Sequence, residues 1–249
     1  MKREWGELQT ALGFLTVFPV AAKRETTPEQ LGRSMGLFPA AGLVIGLALV
    51  VCNWALGALI PRPVLDCLLL LTLIAFTGAL HLDGMADMAD GLTGGHDRTD
   101  TLQITKDSRV GATAVVALVM ILLLKYLSLV NLPLAEKSAA LMFMPCAGRW
   151  VQVVLAAFCR YVRSEGGGGR NFVEQVGERE TLLATGTLLA AALVLFGMQG
   201  VFLVFLLGLA AMFLMRYFQS RLGGVTGDVL GAASEVVEVL TLILILALI

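Results

Sequence analysis

VLDCLLLLTLIAFTGALHLDGMADMADG, residues 64–91, decides how the chain is read. It begins as an apolar run and ends on Asp83, Asp87 and Asp90, spaced i, i+4 and i+7. At ~100° per residue the three carboxylates fall within a ~60° arc of one helix face. Stacked this way they repel one another, so an isolated helix gains nothing from them. Near hydrocarbon, Asp is costly and marks function more often than decoration. The pattern predicts one helix running on through Gly91, with the aspartates at its mouth. Such a face suits divalent cations, which take several hard oxygen ligands.

The rest of the chain fits a membrane setting. Of its 249 residues 57% are hydrophobic and 15% charged, with mean hydropathy +0.84; soluble domains carry about 25% charge. The expected fold is all-α, a polytopic transmembrane helix bundle forming a single integral membrane domain over residues 1–249. About seven spanning helices are expected, at 35–60, 64–82, 111–132, 138–160, 181–198, 200–218 and 228–249. Residues 8–20 are too short for an easy crossing and are expected to form a short N-terminal interfacial or re-entrant helix. Lys2, Arg3 and the apolar stretch after them resemble a signal peptide, but Glu4, Glu7 and Pro19 interrupt that pattern, so a retained segment is expected. The four Cys form no C-x-x-C pair, which argues against a disulfide framework or zinc site, and two His argue against a His-built metal site.

Charge is segregated by position. Fourteen Lys and Arg lie at the N-terminus and in the long polar stretches, among them Lys23, Arg24, Lys106, Arg109, Arg163 and Arg170. Only Arg62 and Lys137 lie in the short hairpins. The positive-inside rule therefore puts the long loops in the cytoplasm. Lys125 and Arg149 fall within spans. Lys125 is expected to snorkel, and Arg149, roughly mid-span, to meet a buried anion or carboxylate. Asp228 and Glu235 share a face of the last helix, with Glu235 ~10 Å deeper. A carboxylate at that depth needs a wet cavity or a partner such as Arg149 or Lys125.

Two loops add donors for an anionic substrate. Lys106, Asp107 and Arg109 combine phosphate-binding types with a further carboxylate. Arg160, Arg163 and Arg170 flank the run Gly166-Gly167-Gly168-Gly169, which reads either as a lid or as a basic interfacial loop. Carboxylates, a divalent metal and Arg or Lys together form the apparatus of phosphoryl transfer. A carboxylate in such a site takes the proton of an attacking hydroxyl.

Three ordered motifs carry a family resemblance: H-L-D-G-x-A-D-x-x-D-G at 81–91, K-D-S-R-x-G at 106–111 and G-G-x-T-G-D-x-L-G-A-x-x-E at 223–235. Together with Phe14-Leu15-Thr16, Phe38-Pro39, Arg149 and Tyr161-x-Arg163-x-Glu165-Gly166, they make the chain resemble adenosylcobinamide-GDP ribazoletransferase, also called cobalamin synthase or cobalamin-5′-phosphate synthase, nearly end to end. Val17 departs from a basic residue frequent in that family. The resemblance implies a multi-pass protein of the bacterial inner membrane with its active site facing the cytoplasm. It implies a Mg²⁺-dependent transferase that joins adenosylcobinamide-GDP to α-ribazole, or to α-ribazole 5′-phosphate. The products would be adenosylcobalamin, or its 5′-phosphate, and GMP.

On that resemblance Asp83, Asp87, Asp90 and Asp228 are expected to hold Mg²⁺, and Asp83, Asp87, Asp90 and Asp107 to be catalytic, Asp107 as base or further ligand. Lys106, Arg109, Arg149 and Arg163 are expected at the substrate. No nucleic acid is expected as partner, and a homo-oligomer is compatible with the reading. Two alternatives stand behind it. A CDP-alcohol phosphotransferase acting on lipids shares D-G-x-x-A, but Asp87 replaces that family's Arg. An ion-coupled transporter would line its path with Lys125, Arg149 and Glu235, whereas here the polar clusters gather at one face rather than at broken helices in the midplane.

Overall fold

The computed structural model describes residues 2–19, 27–107, 109–163 and 169–248. Lys23, Arg24, Ser108, Glu165 and Gly166 to Gly168 lie outside the described residues. The chain runs α1 (Lys2–Leu15), α2 (Pro28–Ser34), a 3₁₀ turn, α3 (Phe38–Leu56), α4 (Arg62–Thr77), α5 (Leu80–Gly94) and α6 (Arg98–Ile104). It continues through α7 (Ala112–Asn131), α8 (Leu134–Phe158), α9 (Arg170–Val173), α10 (Glu178–Leu222) and α11 (Gly227–Leu248). Among the described residues there is no strand, only a single bridge between Tyr161 and Val225. The all-α expectation holds.

The stretch at 64–91 is not one helix. It breaks between α4 and α5, which meet at 91°. Gly78 has φ +59° and Ala79 φ +58°, both left-handed. Ala79 N–H donates back to Ile74 O and Gly78 N–H to Ala75 O, the paired bonds of a Schellman turn. The carbonyl of Phe76 is taken by Val17 N–H, tying the chain after α1 to this corner. A glycine inside an apolar run reads as tolerable helix, so the corner escapes the pattern. The bend takes α5, with its three aspartates, out of line with α4.

Five helical segments, Pro28–Leu56, Ala112–Asn131, Leu134–Phe158, Glu178–Leu222 and Gly227–Leu248, are long and apolar enough to cross a membrane, and α4 with α5 makes a sixth if that broken pair is one span. The α10 segment covers both spans expected at 181–198 and 200–218. Its 45 residues depart from helical geometry at Gly197, where φ is 58° and ψ −138°. A Cβ at Gly200 would collide with the carbonyl oxygen of Ala192. Eight residues along a straight helix are ~12 Å apart, so the chain turns back on itself there and α10 is two limbs.

The centre of the bundle is α8 and α11, whose apolar windows are 78% and 72% buried, against 28% for the peripheral α7. Large apolar side chains such as Trp54, Val116, Val194 and Phe213 project outward. Such a surface belongs against lipid rather than water. At one end of the bundle Lys137 and Asp66 form a buried pair, with Nζ 2.8 and 2.7 Å from the two carboxylate oxygens. At the other end α1, α2, α6 and α9 pack around the mouths of the central helices. The 14-residue α1 is too short to cross and packs there, with Ala11 and Leu15 fully buried.

A left-handed residue with a Cβ costs about 1–2 kcal/mol, and at Gly78 a Cβ would also sit 2.9 Å from Val17 Cγ1. Gly78→Ala is therefore expected to lower the thermal midpoint of the purified protein in detergent. Ala79→Gly, which removes the same strain next door, is expected not to lower it.

Candidate active site

The site forms where α5 crosses the start of α11. Gly84 makes the crossing close: a Cβ there would be 2.8 Å from Asp228 O. Thr226 Oγ1 accepts from Val229 N–H at 3.3 Å, capping the first turn of α11 and presenting Asp228 from it. Residues 160–163 are stitched beside this turn, Val162 N–H donating to Val225 O (3.1 Å) and Val225 N–H to Arg160 O (2.9 Å). That stitch delivers Arg163 to Asp228, whose Oδ2 accepts from the guanidinium. The same Arg163 nitrogen also donates to Thr105 O (3.1 Å) and to Thr105 Oγ1 (3.0 Å). Arg163 Nε is buried without a partner among the described residues.

These groups line a cavity of about 200 Å³ with two unlike walls. One carries His81, Asp83, Arg163 and Asp228; the other carries Phe14, Met35, Phe38 and Phe172. The three Phe rings touch, Phe14 lying 4.3 Å from Phe172 and 6.1 Å from Phe38 between centroids. Gln152, on α8, also lines the cavity. It is 3% exposed, and its amide makes no hydrogen bond among the described residues.

Asp87 stands half-buried beside this polar wall. Burial first, then the nearby charges of Asp228 and Asp83, push its carboxyl up to about 6, with Arg163 opposing. Repulsion among Asp83, Asp87 and Asp228 is what a cation would relieve, and their hard oxygens fit Mg²⁺. As the side chains stand, no three His, Cys, Asp or Glu among the described residues are gathered closely enough to hold an ion.

Asp90 does something else. Its Oδ2 accepts from Gly111 N–H at 2.6 Å and its Oδ1 from Ala114 N–H at 2.9 Å. It caps α7 from across the fold, meeting the unpaired N–H groups and positive pole of that helix. Asp107 and Arg109 also depart from expectation. They bond each other on an exposed loop, Arg109 Nε 3.0 Å from both carboxylate oxygens, and neither lines the cavity. Bonds from Arg109 hold the Asp107 carboxyl below its usual range, which makes it a poor base. Lys106 is exposed on the same loop, also outside the cavity lining.

Arg149 lies behind the cavity rather than in it. It is 1% exposed and donates to Glu238. Lys125 does not snorkel; its Nζ is 2.7 Å from Glu235 and is bonded to Glu238 as well. Arg149 also approaches His81 Nδ1 at 3.3 Å. A guanidinium only donates, so Nδ1 accepts and the ring proton sits on Nε2. Glu238, His81, Gln152 and Phe172 were not signalled by spacing. Glu238, His81 and Phe172 meet partners far away in the chain, and no local period reports that.

Comparison with known proteins places the chain among relatives of one kind. Residues 7–246 match the family described as Cobalamin-5-phosphate synthase. The chain is 39% identical over 238 residues to the adenosylcobinamide-GDP ribazoletransferase of Geotalea daltonii, covering 96% of each chain. It is 39% identical over 243 residues to that of Desulforamulus reducens, covering 97% of this chain and 96% of the other. Against that of Ectopseudomonas mendocina it is 41% identical over 231 residues, covering 92% and 93%. No solved structure matches the chain.

In the ion-free protein the Asp87 carboxyl is expected to titrate near pH 6, followed by ¹³C NMR of labelled Asp. Asp228→Asn is expected to lower that midpoint and Arg163→Gln to raise it. The sign for stability follows by linkage. Proton uptake on Asp87 favours the fold below pH 3.8, and that contribution is lost as pH rises through about 6.

Proposed function

The chain belongs to the cobalamin-5-phosphate synthase family, and from that premise we propose that it joins adenosylcobinamide-GDP to α-ribazole or α-ribazole 5′-phosphate. The products are adenosylcobalamin, or its 5′-phosphate, and GMP. The observation that carries the reading is the meeting of Asp83, Asp228 and Arg163 in one cavity, with Asp87 close enough to feel the charge of all three. That is a place for a diphosphate and an attacking alcohol, backed by family membership over nearly the whole chain.

The reaction exchanges one phosphoester partner for another. A ribose hydroxyl of α-ribazole attacks the phosphorus attached to the cobinamide arm. The bond from that phosphorus to the bridging oxygen breaks, and GMP leaves with the electron pair. Asp87, whose proton affinity is lifted to about 6, takes the proton of the attacking hydroxyl. Arg163 brings its charge against the diphosphate oxygens. Asp83 and Asp228 would hold Mg²⁺, an ion that keeps one or two carboxylates and binds substrate phosphates for the rest. When bound, that ion neutralises phosphate charge and eases departure of GMP. Asp90 serves the site by fixing α7 to α5.

The same reading sets the protein in a bacterial inner membrane with this end of the bundle in the cytoplasm. What supports it is charge: Arg33, Arg98, Arg160, Arg163, Arg170, Arg179 and Arg221 all belong to the long polar stretches.

GMP release from adenosylcobinamide-GDP by the purified protein is expected to require both α-ribazole and Mg²⁺, to stop on adding EDTA, and to resume on adding Mg²⁺. Asp83→Asn and Asp228→Asn proteins that insert normally are expected to lose about 100-fold or more in kcat, the range of a lost charge-stabilising group. Full turnover by either variant would remove the site assignment.

A further inference from the structure

The cavity is smaller than the ~300–1,000 Å³ of a whole small-molecule site, at about 200 Å³. It has room for a bicyclic ring system and none for a corrin. Its apolar wall is built from Phe14, Met35, Phe38 and Phe172, brought together from α1, the turn before α3, α3 and α9. Two of the rings, Phe38 and Phe172, are almost fully buried, while Phe14 is 38% exposed and closes the edge. Among the other lining residues is Gln152 of α8, 3% exposed, whose amide makes no hydrogen bond among the described residues. An amide that faces a cavity keeps its donors and its acceptor for whatever enters.

We propose that this apolar half receives the flat base of the alcohol substrate, with Gln152 donating to the base's one free ring nitrogen. The inference rests on the function proposed above and adds which part of which substrate sits where. The base of α-ribazole is dimethylbenzimidazole, an apolar bicycle whose other nitrogen is taken by the ribose. It offers a single acceptor and no donor, which matches one amide among aromatic rings. Guanine, the other base in the reaction, carries several donors and acceptors on its edge, and this wall would leave most of them unpaired. With the base against the Phe rings, the ribose points to the wall of Asp83, Asp228 and Arg163, where its hydroxyl is needed.

The test uses the full-length protein in detergent with GMP release as readout, varying each substrate in turn. Loss of a ring that stacks on a base weakens binding by about tenfold or more. Phe14→Ala is therefore expected to raise KM for α-ribazole roughly tenfold, with KM for adenosylcobinamide-GDP unchanged. Phe14→Leu, which keeps the packing volume, guards against misfolding and is expected to shift the same constant in the same direction. The wild type is expected to prefer α-ribazole over the indole riboside that has CH in place of the free nitrogen, and Gln152→Leu to lose that preference. If the variants instead raise KM for adenosylcobinamide-GDP, the wall binds guanine and the proposal is overturned. An unchanged KM for both substrates, or a preference that survives Gln152→Leu, overturns it as well. If the wild type releases no GMP with either alcohol, the function proposed above falls first and this inference with it.

Discussion

Glu238 answers two cations at once, deep in the bundle. Arg149 of α8 and Lys125 of α7 both reach it from neighbouring helices, and Glu235 one turn earlier takes a second bond from Lys125. Two positive and two negative charges leave the cluster neutral, a condition for holding them where water is scarce. Removing one member of such a cluster strands a charge, at a cost of about 3–5 kcal/mol. The cluster pins the register of α11 against α8 and α7. Asp228 stands ~15 Å along α11 from Glu238, and Gln152 one turn from Arg149 on α8. His81, touched by Arg149, extends the same constraint to α5. The carboxylates at the mouth thus stand on helices that cannot slide without breaking ion pairs.

Much of this was legible in the chain. Hydropathy locates the crossing helices because lipid demands long apolar segments with their backbone bonds satisfied internally. The spacing of Asp83 and Asp87 puts both on one face; Asp83 lines the cavity and Asp87 stands beside it. Asp90 shares that face, yet the face is wide enough for its far side to serve a different neighbour, and the helix period cannot tell which. The corner at Gly78 and Ala79 was hidden for a related reason. It depends on a left-handed pair and on a bond from Val17 to Phe76 O, 59 residues apart in the chain. Lys125 and Arg149 looked like isolated charges because their partners are 113 and 89 residues away. Pairing at that range leaves no local signature, whereas the need for a partner does, and Glu235 was read correctly on that ground.

On the proposed function, the cavity's two walls would divide the labour of recognition. Charge on one side would meet phosphate. The aromatic side comes from α1, α3 and α9, short or peripheral pieces gathered at one end. This explains why the N-terminal segment is built as it is. Too short to cross, it closes the site by presenting Phe14, with Leu15 as its anchor in the core.

The way Asp90 is used bears on how genetic data from this protein should be understood. Both its oxygens accept from the start of α7, so the residue acts as a joint between two helices. If Asp83 holds the metal as proposed, a cell that loses Asp90 and a cell that loses Asp83 would both be starved of product. In the first, the polypeptide would have lost a joint of its fold; in the second, an intact polypeptide would have lost its chemistry. A growth screen would file the two together. Only the amount of protein recovered from the membrane distinguishes a broken hinge from a missing reagent.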